Sequence, residues 1–200
     1  VGNERGIGRE TEWSATALMP HSYAGADESY AKLGIKGTGK DLGSRALLEK
    51  APALYWYPSE VDVSIRPGWF YHAEQDKQVR SLANLVNIYY HSVGCNSVLL
   101  LNIPPDKRGL IHENDVKRIK ELAEYIKKTF ADNKVEKGKT AWTAQVGDTK
   151  EYKVRKNALA NTFLIQEDIT KGQRVEGFTV EVFSNGAWHH AGKGTTVGYK

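Results

Sequence analysis

Apolar and polar positions change rhythm several times along these 200 residues. In SEVDVSIRPGWFYH (59–72), Val61, Val63 and Ile65 alternate with Glu60, Asp62, Ser64 and Arg66. That two-residue period predicts a strand with one branched-apolar face and one polar face. Over about 75–93 the spacing lengthens to three and four, putting Val79, Leu82, Leu85, Val86, Tyr89 and Val93 on one helical stripe. NSVLLLNIPP (96–105) is a short unbroken apolar run, as expected of a parallel strand buried on both faces. After the PPDKRG turn a second helix is predicted over about 113–130. Val116, Ile119, Ala123, Ile126 and Phe130 form its inner stripe, and Asn114 or Asp115 is placed to cap it.

Strand, helix, strand, helix is the rhythm of an α/β fold, but two strands are too few to close a parallel sheet. The segment therefore reads as part of a larger one. Residues 1–50 are loop-rich; only DLGSRALLEKAPAL (41–54) reads as a helix, curtailed by Pro52. The polar stretch ADNKVEKGK (131–139) reads as a linker, and beyond Thr140 no helical period survives. NTFLIQEDI (161–169) and GFTVEVF (177–183) read as strands. Asn185-Gly186 is a strong hairpin signal, and AWHHAGKG brings the chain back. The natural expectation is a small antiparallel sandwich.

Composition narrows the function classes. Apolar residues make up 40% and charged residues 26%, ordinary for a globular chain. No apolar run approaches the ~20 residues of a membrane-spanning helix. The net charge of +4 comes from lysines interspersed with glutamates, a solvated helix face rather than a nucleic-acid stripe. The single cysteine, Cys95, excludes an internal disulfide framework and a cysteine-based zinc site. His21, His72 and His91 lack ligand spacing and His189-His190 adjoin the hairpin turn, so no metal or other cofactor is expected. GIKGTGKD (34–41) misses the spacing of a phosphate-binding loop.

Two stretches have the chemistry of a site. Past the strand at 61–65, Arg66, Trp69, Phe70, Tyr71 and His72 crowd around a Pro67-Gly68 turn. Glu60, Asp62 and Arg66 suit paired hydrogen bonds to sugar hydroxyls, and Trp69 suits stacking on a pyranose face; a buried ion pair under a hydrophobic corner is the plainer alternative. At the other stretch, VGNERGIGRETEWSATALMP, Glu4 sits in a glycine-flanked loop that can aim a carboxylate into a cleft. A solvated surface glutamate is the plainer reading of Glu4, and a core residue that of Trp13.

VGNERGIGRETEWSATALMP, WYPSEVDVSIRPGWFYH and GCNSVLLLNIPPDKRGLIHENDVKRIKELAEYIKK together resemble the α-L-fucosidases of glycoside hydrolase family 29. The likeness is greatest to the bacterial branch that cleaves α-1,3/1,4-fucosides, and it spans essentially the whole chain. It implies the C-terminal part of a TIM-like (β/α) barrel over 1–132 and a small antiparallel β-sandwich over 133–200. It also implies retaining, exo-acting hydrolysis of terminal α-L-fucose from a fucosylated oligosaccharide, with no cofactor. An aspartate attacks the anomeric carbon while a glutamate protonates the leaving oxygen and then activates water, across a carboxyl separation of about 5–5.5 Å. By motif, the glutamate falls on Glu4, with Glu60 in reserve. Arg66 and Trp69 fall in the fucose-pocket segment; Glu60, Asp62 and His72 are pocket or supporting groups, and Trp13 is a further pocket candidate. The family's nucleophile lies upstream of G-N-E, so the resemblance implies that it and the first barrel half come from outside these 200 residues. The lone chain is then expected to be inactive, and the location secreted or periplasmic. A non-catalytic carbohydrate-binding fragment, with Trp188 and His189 at a binding loop, is the alternative.

Overall fold

In the computed structural model the described residues are 2–4, 6–8, 14–17, 32–35, 42–136 and 140–198. They form small sheets and a few helices. In chain order these are β1 (Gly2–Asn3), β2 (Ala15–Thr16), α1 (Arg45–Leu48), β3 (Tyr55–Trp56), β4 (Glu60–Ser64), α2 (Leu82–Ser92), β5 (Val98–Asn102), α3 (Glu113–Phe130), β6 (Phe178–Ser184) and β7 (Ala187–Gly194). β1, β4 and β5 make a parallel sheet with β4 in the middle; β2 pairs with β3, and β6 with β7, both antiparallel.

The alternation read from the sequence is what builds the core. Val61, Val63 and Ile65 pack with Leu85 and Ile88 of α2 and Leu122 of α3, flanked by Leu99, Leu101, Ile103, Ile119 and Ile126. Both helices lie against the same face of the sheet. The opposite face holds Glu60, Asp62 and Ser64 of β4 and, in register, Val98, Leu100 and Asn102 of β5. Val98 is 51% and Leu100 45% exposed, so β5 is covered on one face and not on both as its apolar run implies.

α3 has the expected span, but its cap and stripe differ. His112 is the N-cap, its Nδ1 accepting from the Asn114 amide at 3.2 Å, while Asp115 turns inward and is completely buried. The inward stripe runs through Asp115, Ile119, Leu122 and Ile126, leaving Ala123 and Phe130 exposed. Glu113 and Asp115 in the first turn and Lys127 and Lys128 in the last match the helix dipole. α2 begins at Leu82, not 75, because Ser81 caps it by accepting from Asn84 N. The preceding residues run past the end of β4, where the Arg80 amide donates to Ile65 O at 2.9 Å. The helix read over 41–54 shrinks to Arg45–Leu48.

Downstream, NTFLIQEDI contains no strand; it ends in a short 3-10 turn, Ile169–Lys171, capped by Asp168. The β6–β7 hairpin forms where expected, with Asn185 (φ 51°) and Gly186 (φ 80°) both left-handed, as a two-residue hairpin turn requires. Among the described residues this region holds one hairpin and an isolated Val135–Val154 bridge.

Candidate active site

The polar face of the parallel sheet sets the candidate residues in order. Gly2 pairs with Glu60 and Asn3 with Val61, so continuing the register by one residue sets Glu4 beside Asp62, opposite the helix-covered face. Glu4 is exposed. The chain beyond it is steered by two glycines. Gly6 has φ 75°, and a Cβ there would meet Ile88 at 3.1 Å; a Cβ on Gly8 would come within 2.5 Å of Ser97 Oγ. The Gly8 amide donates to His91 O at 2.5 Å, anchoring the loop on the end of α2. Close approach of backbone to helix is therefore what fixes the exit from Glu4.

At the C-terminal end of β4, Ser64 Oγ donates to Gly68 O (2.7 Å) and accepts from Asn102 Nδ2 (3.0 Å) and the Arg66 amide (3.3 Å). Asn102 Nδ2 also donates to Trp69 O at 3.0 Å. Asp62 Oδ1 is buried without a hydrogen-bond partner among the described residues. Trp69 is 36% exposed.

Arg66 is only 1% exposed. Its Nε donates to Asp115 Oδ2 at 2.8 Å, and its Nη1 donates to Asp76 Oδ1 at 2.9 Å and His72 O at 3.3 Å. The guanidinium carbon lies 4.8 Å from the Tyr71 ring centroid. Burial acts to lower the Arg66 pKa, but the two carboxylates outweigh it and raise it. Burial, then Asp76, push the Tyr71 phenol up. His112 Nε2 lies 3.3 Å from Asp76 Oδ2, so one ring both caps α3 and contacts this network. The ion pair of the plainer reading is thus present at Arg66, beneath the Trp69 turn. His72 is exposed, its ring 3.6 Å from Glu74.

The Asp106–Ile111 turn after β5 has its own lock. Arg108 donates to Asp106 Oδ2 from Nε (2.9 Å) and Nη2 (2.6 Å), and to Glu113 Oε1 at 2.8 Å. Those bonds hold both carboxyls below the usual carboxylate range.

The sheet register therefore brings Glu4, Glu60 and Asp62 onto one face, with the Trp69 turn tied to its C-terminal end. Arg66 lies underneath and His72 outside, while Trp13 falls outside the described residues. Sequence reasoning missed Asn102 and Asp115. The signal for Asn102 is a lone amide ending an apolar run; Asp115 reads equally well as a cap. Among the described residues no three His, Cys, Asp or Glu side chains cluster as a metal site, and no helix is long and apolar enough to cross a membrane.

Residues 44–131 match the family model Alpha-L-fucosidase. The whole chain is 31% identical to Alpha-L-fucosidase 1 of Arabidopsis thaliana, covering 42% of that protein. A crystal structure from Bacteroides ovatus ATCC 8483, assigned as an α-L-fucosidase, is 57% identical with a TM-score of 0.88, over all of this chain and 34% of that one. A glycoside hydrolase 29 family member from an unknown rumen bacterium is 32% identical with a TM-score of 0.67, over 98% of this chain and 33% of that one. The chain thus spans about two fifths of the length of the curated relatives it matches.

Proposed function

Since this chain is a relative of the glycoside hydrolase family 29 α-L-fucosidases, we propose that it forms part of an exo-acting enzyme hydrolysing terminal α-L-fucosides with retention. Glu4 acts as acid and then base, and the attacking aspartate is supplied from outside these 200 residues. In the first step the aspartate takes the anomeric carbon as Glu4 protonates the departing oxygen. In the second, Glu4 removes a proton from water as water displaces the enzyme carboxylate. Trp69 packs on the apolar face of fucose; Glu60 and Asp62 serve the pocket, with Glu60 the reserve for Glu4. Arg66 acts from beneath, by holding the turn. His72 and Trp13 remain pocket candidates of this reading, residues 1–132 barrel and 133–200 sandwich, and the location secreted or periplasmic.

The observation that supports this most is the strand register, which aligns Glu4 with Asp62 on the sheet face where the Trp69 turn is anchored. Glu4→Gln in the whole protein tests it. The expected result is a loss of kcat of about 10²–10⁴ on fucosides with poor leaving groups, partly spared on activated aryl fucosides. Unchanged hydrolysis removes Glu4 from the role.

One observation favours a second reading, sugar binding on the hairpin. Trp188 is half exposed and meets Phe183 edge-on, with ring centroids 5.3 Å apart. Trp188→Ala should then abolish retention on a glycan affinity gel.

A further inference from the structure

The turn bearing Trp69 is not held by burial of its own side chains. Pro67, Trp69 and Phe70 are all exposed, Phe70 at 78%. What fixes its path is a set of polar ties. At its near end Ser64 Oγ donates to Gly68 O; at its far end Arg66 Nη1 donates to His72 O. The only described tie on Trp69 itself comes from the last residue of β5, where Asn102 Nδ2 donates to both Trp69 O and Ser64 Oγ. A primary amide has two N–H donors on one nitrogen, and here both have a partner.

We propose that Asn102 is a positioning residue for the sugar site, setting the height and tilt of Trp69 over the polar sheet face through the Trp69 carbonyl. The inference rests on the reading of Trp69 as the residue that packs against fucose. Aspartate at this position has the same shape but no donor, and it turns a carboxylate oxygen toward the Trp69 carbonyl. The lost hydrogen bond and the new repulsion both act on the turn. In register with Ser64, Asn102 ties the end of β5 to the end of β4 and to the Trp69 carbonyl.

The test uses the whole protein with Asn102→Asp, Asn102→Ala, Trp69→Ala and the double variant Asn102→Ala/Trp69→Ala. Without ligand, backbone amides of 68–71 should exchange hydrogen about tenfold faster in both Asn102 variants, while those of β4 and α3 stay as in wild type. With an aryl α-L-fucoside, KM should rise about tenfold and kcat change little. The Asn102→Ala effect should vanish in the Trp69→Ala background, because one residue acts through the other. Unchanged exchange at 68–71, or additive effects in the double variant, overturns the proposal. If the turn loosens but the wild-type protein neither binds L-fucose nor cleaves the fucoside, Asn102 keeps its hold on the turn and the fucosidase reading fails.

Discussion

Residues 59–130 and 140–198 keep their shape by different means. The first stretch contains a continuous core between one sheet face and two helices, with an ion pair buried beneath the strand ends. In the second, Val197 and Gly198 are the only buried residues among those described, and Val146, Leu159, Phe163, Leu164, Phe183 and Trp188 are exposed. Its order comes from local chemistry: an Asn-Gly turn, the Asp168 cap, and an Asp132 carboxylate shared by Lys134 and Arg155. A few ties connect it to the rest, among them the Ser14 amide donating to Gln173 at 2.9 Å and Arg45 pairing with Glu176 at 2.5 Å. Packing thus specifies one region, and turn and cap residues specify the other. A lone two-stranded hairpin gains little stability by itself.

The sharpest way to break that contrast is to remove a buried charge from the first region. Asp115→Ala leaves Arg66 with one carboxylate instead of two, at a position buried from solvent. Urea denaturation should show a loss of about 3–5 kcal/mol, whereas Asp115→Asn, which keeps an acceptor for Arg66 Nε, should lose distinctly less. A core truncation comes next. Leu85→Ala empties space in the centre of the cluster and should destabilise by about 3 kcal/mol, while Phe163→Ala, removing a larger but half-exposed side chain, should stay within about 0.5 kcal/mol. Comparable losses at the two positions would erase the distinction between the regions.

Turn chemistry sets the next scale. Gly186→Ala forces a Cβ into φ 80° and should cost the hairpin about 1 kcal/mol, visible as faster amide exchange confined to 178–194. The smallest expected effect is electrostatic. Asp106 and Glu113 have depressed pKa values in the folded chain because Arg108 favours their charged forms. Their stabilisation is therefore complete above the unfolded values of about 4 and disappears as pH falls through the depressed folded values. Arg108→Met should lower Tm slightly near pH 7, leave it unmoved at low pH, and so flatten the acid limb of Tm against pH.

The parts of the fold that were legible in the sequence are those where period and burial agree. β4 and α3 were read with nearly their observed spans because a two-residue and a 3.6-residue rhythm each face one core. The hairpin was legible for another reason, since Asn-Gly has few alternatives. Periodicity failed where polar contacts override it. Val79 belongs to the core but not to α2, because Ser81 caps the helix and the Arg80 amide bonds to Ile65 O. NTFLIQEDI has strand composition but no partner strand among the described residues. The site was legible as a set of residue types, not as a geometry. Nothing local in RPGWFYH says that Arg66 turns under the strand to Asp115, 49 positions away, or that an amide from β5 holds the Trp69 carbonyl.

The two-residue pairing of β1 with β4 has a consequence for the order of assembly. β4 and β5 are joined through α2, which packs on both and shortens the search between them. Gly2 must find Glu60 across a longer separation in the chain, and only two register pairs join the strands. Closing so long a loop for so little contact is slow and reverses readily. The strand leading to Glu4 should therefore dock last in refolding and leave first in denaturant. Competence for chemistry would then lag behind the recovery of helical signal.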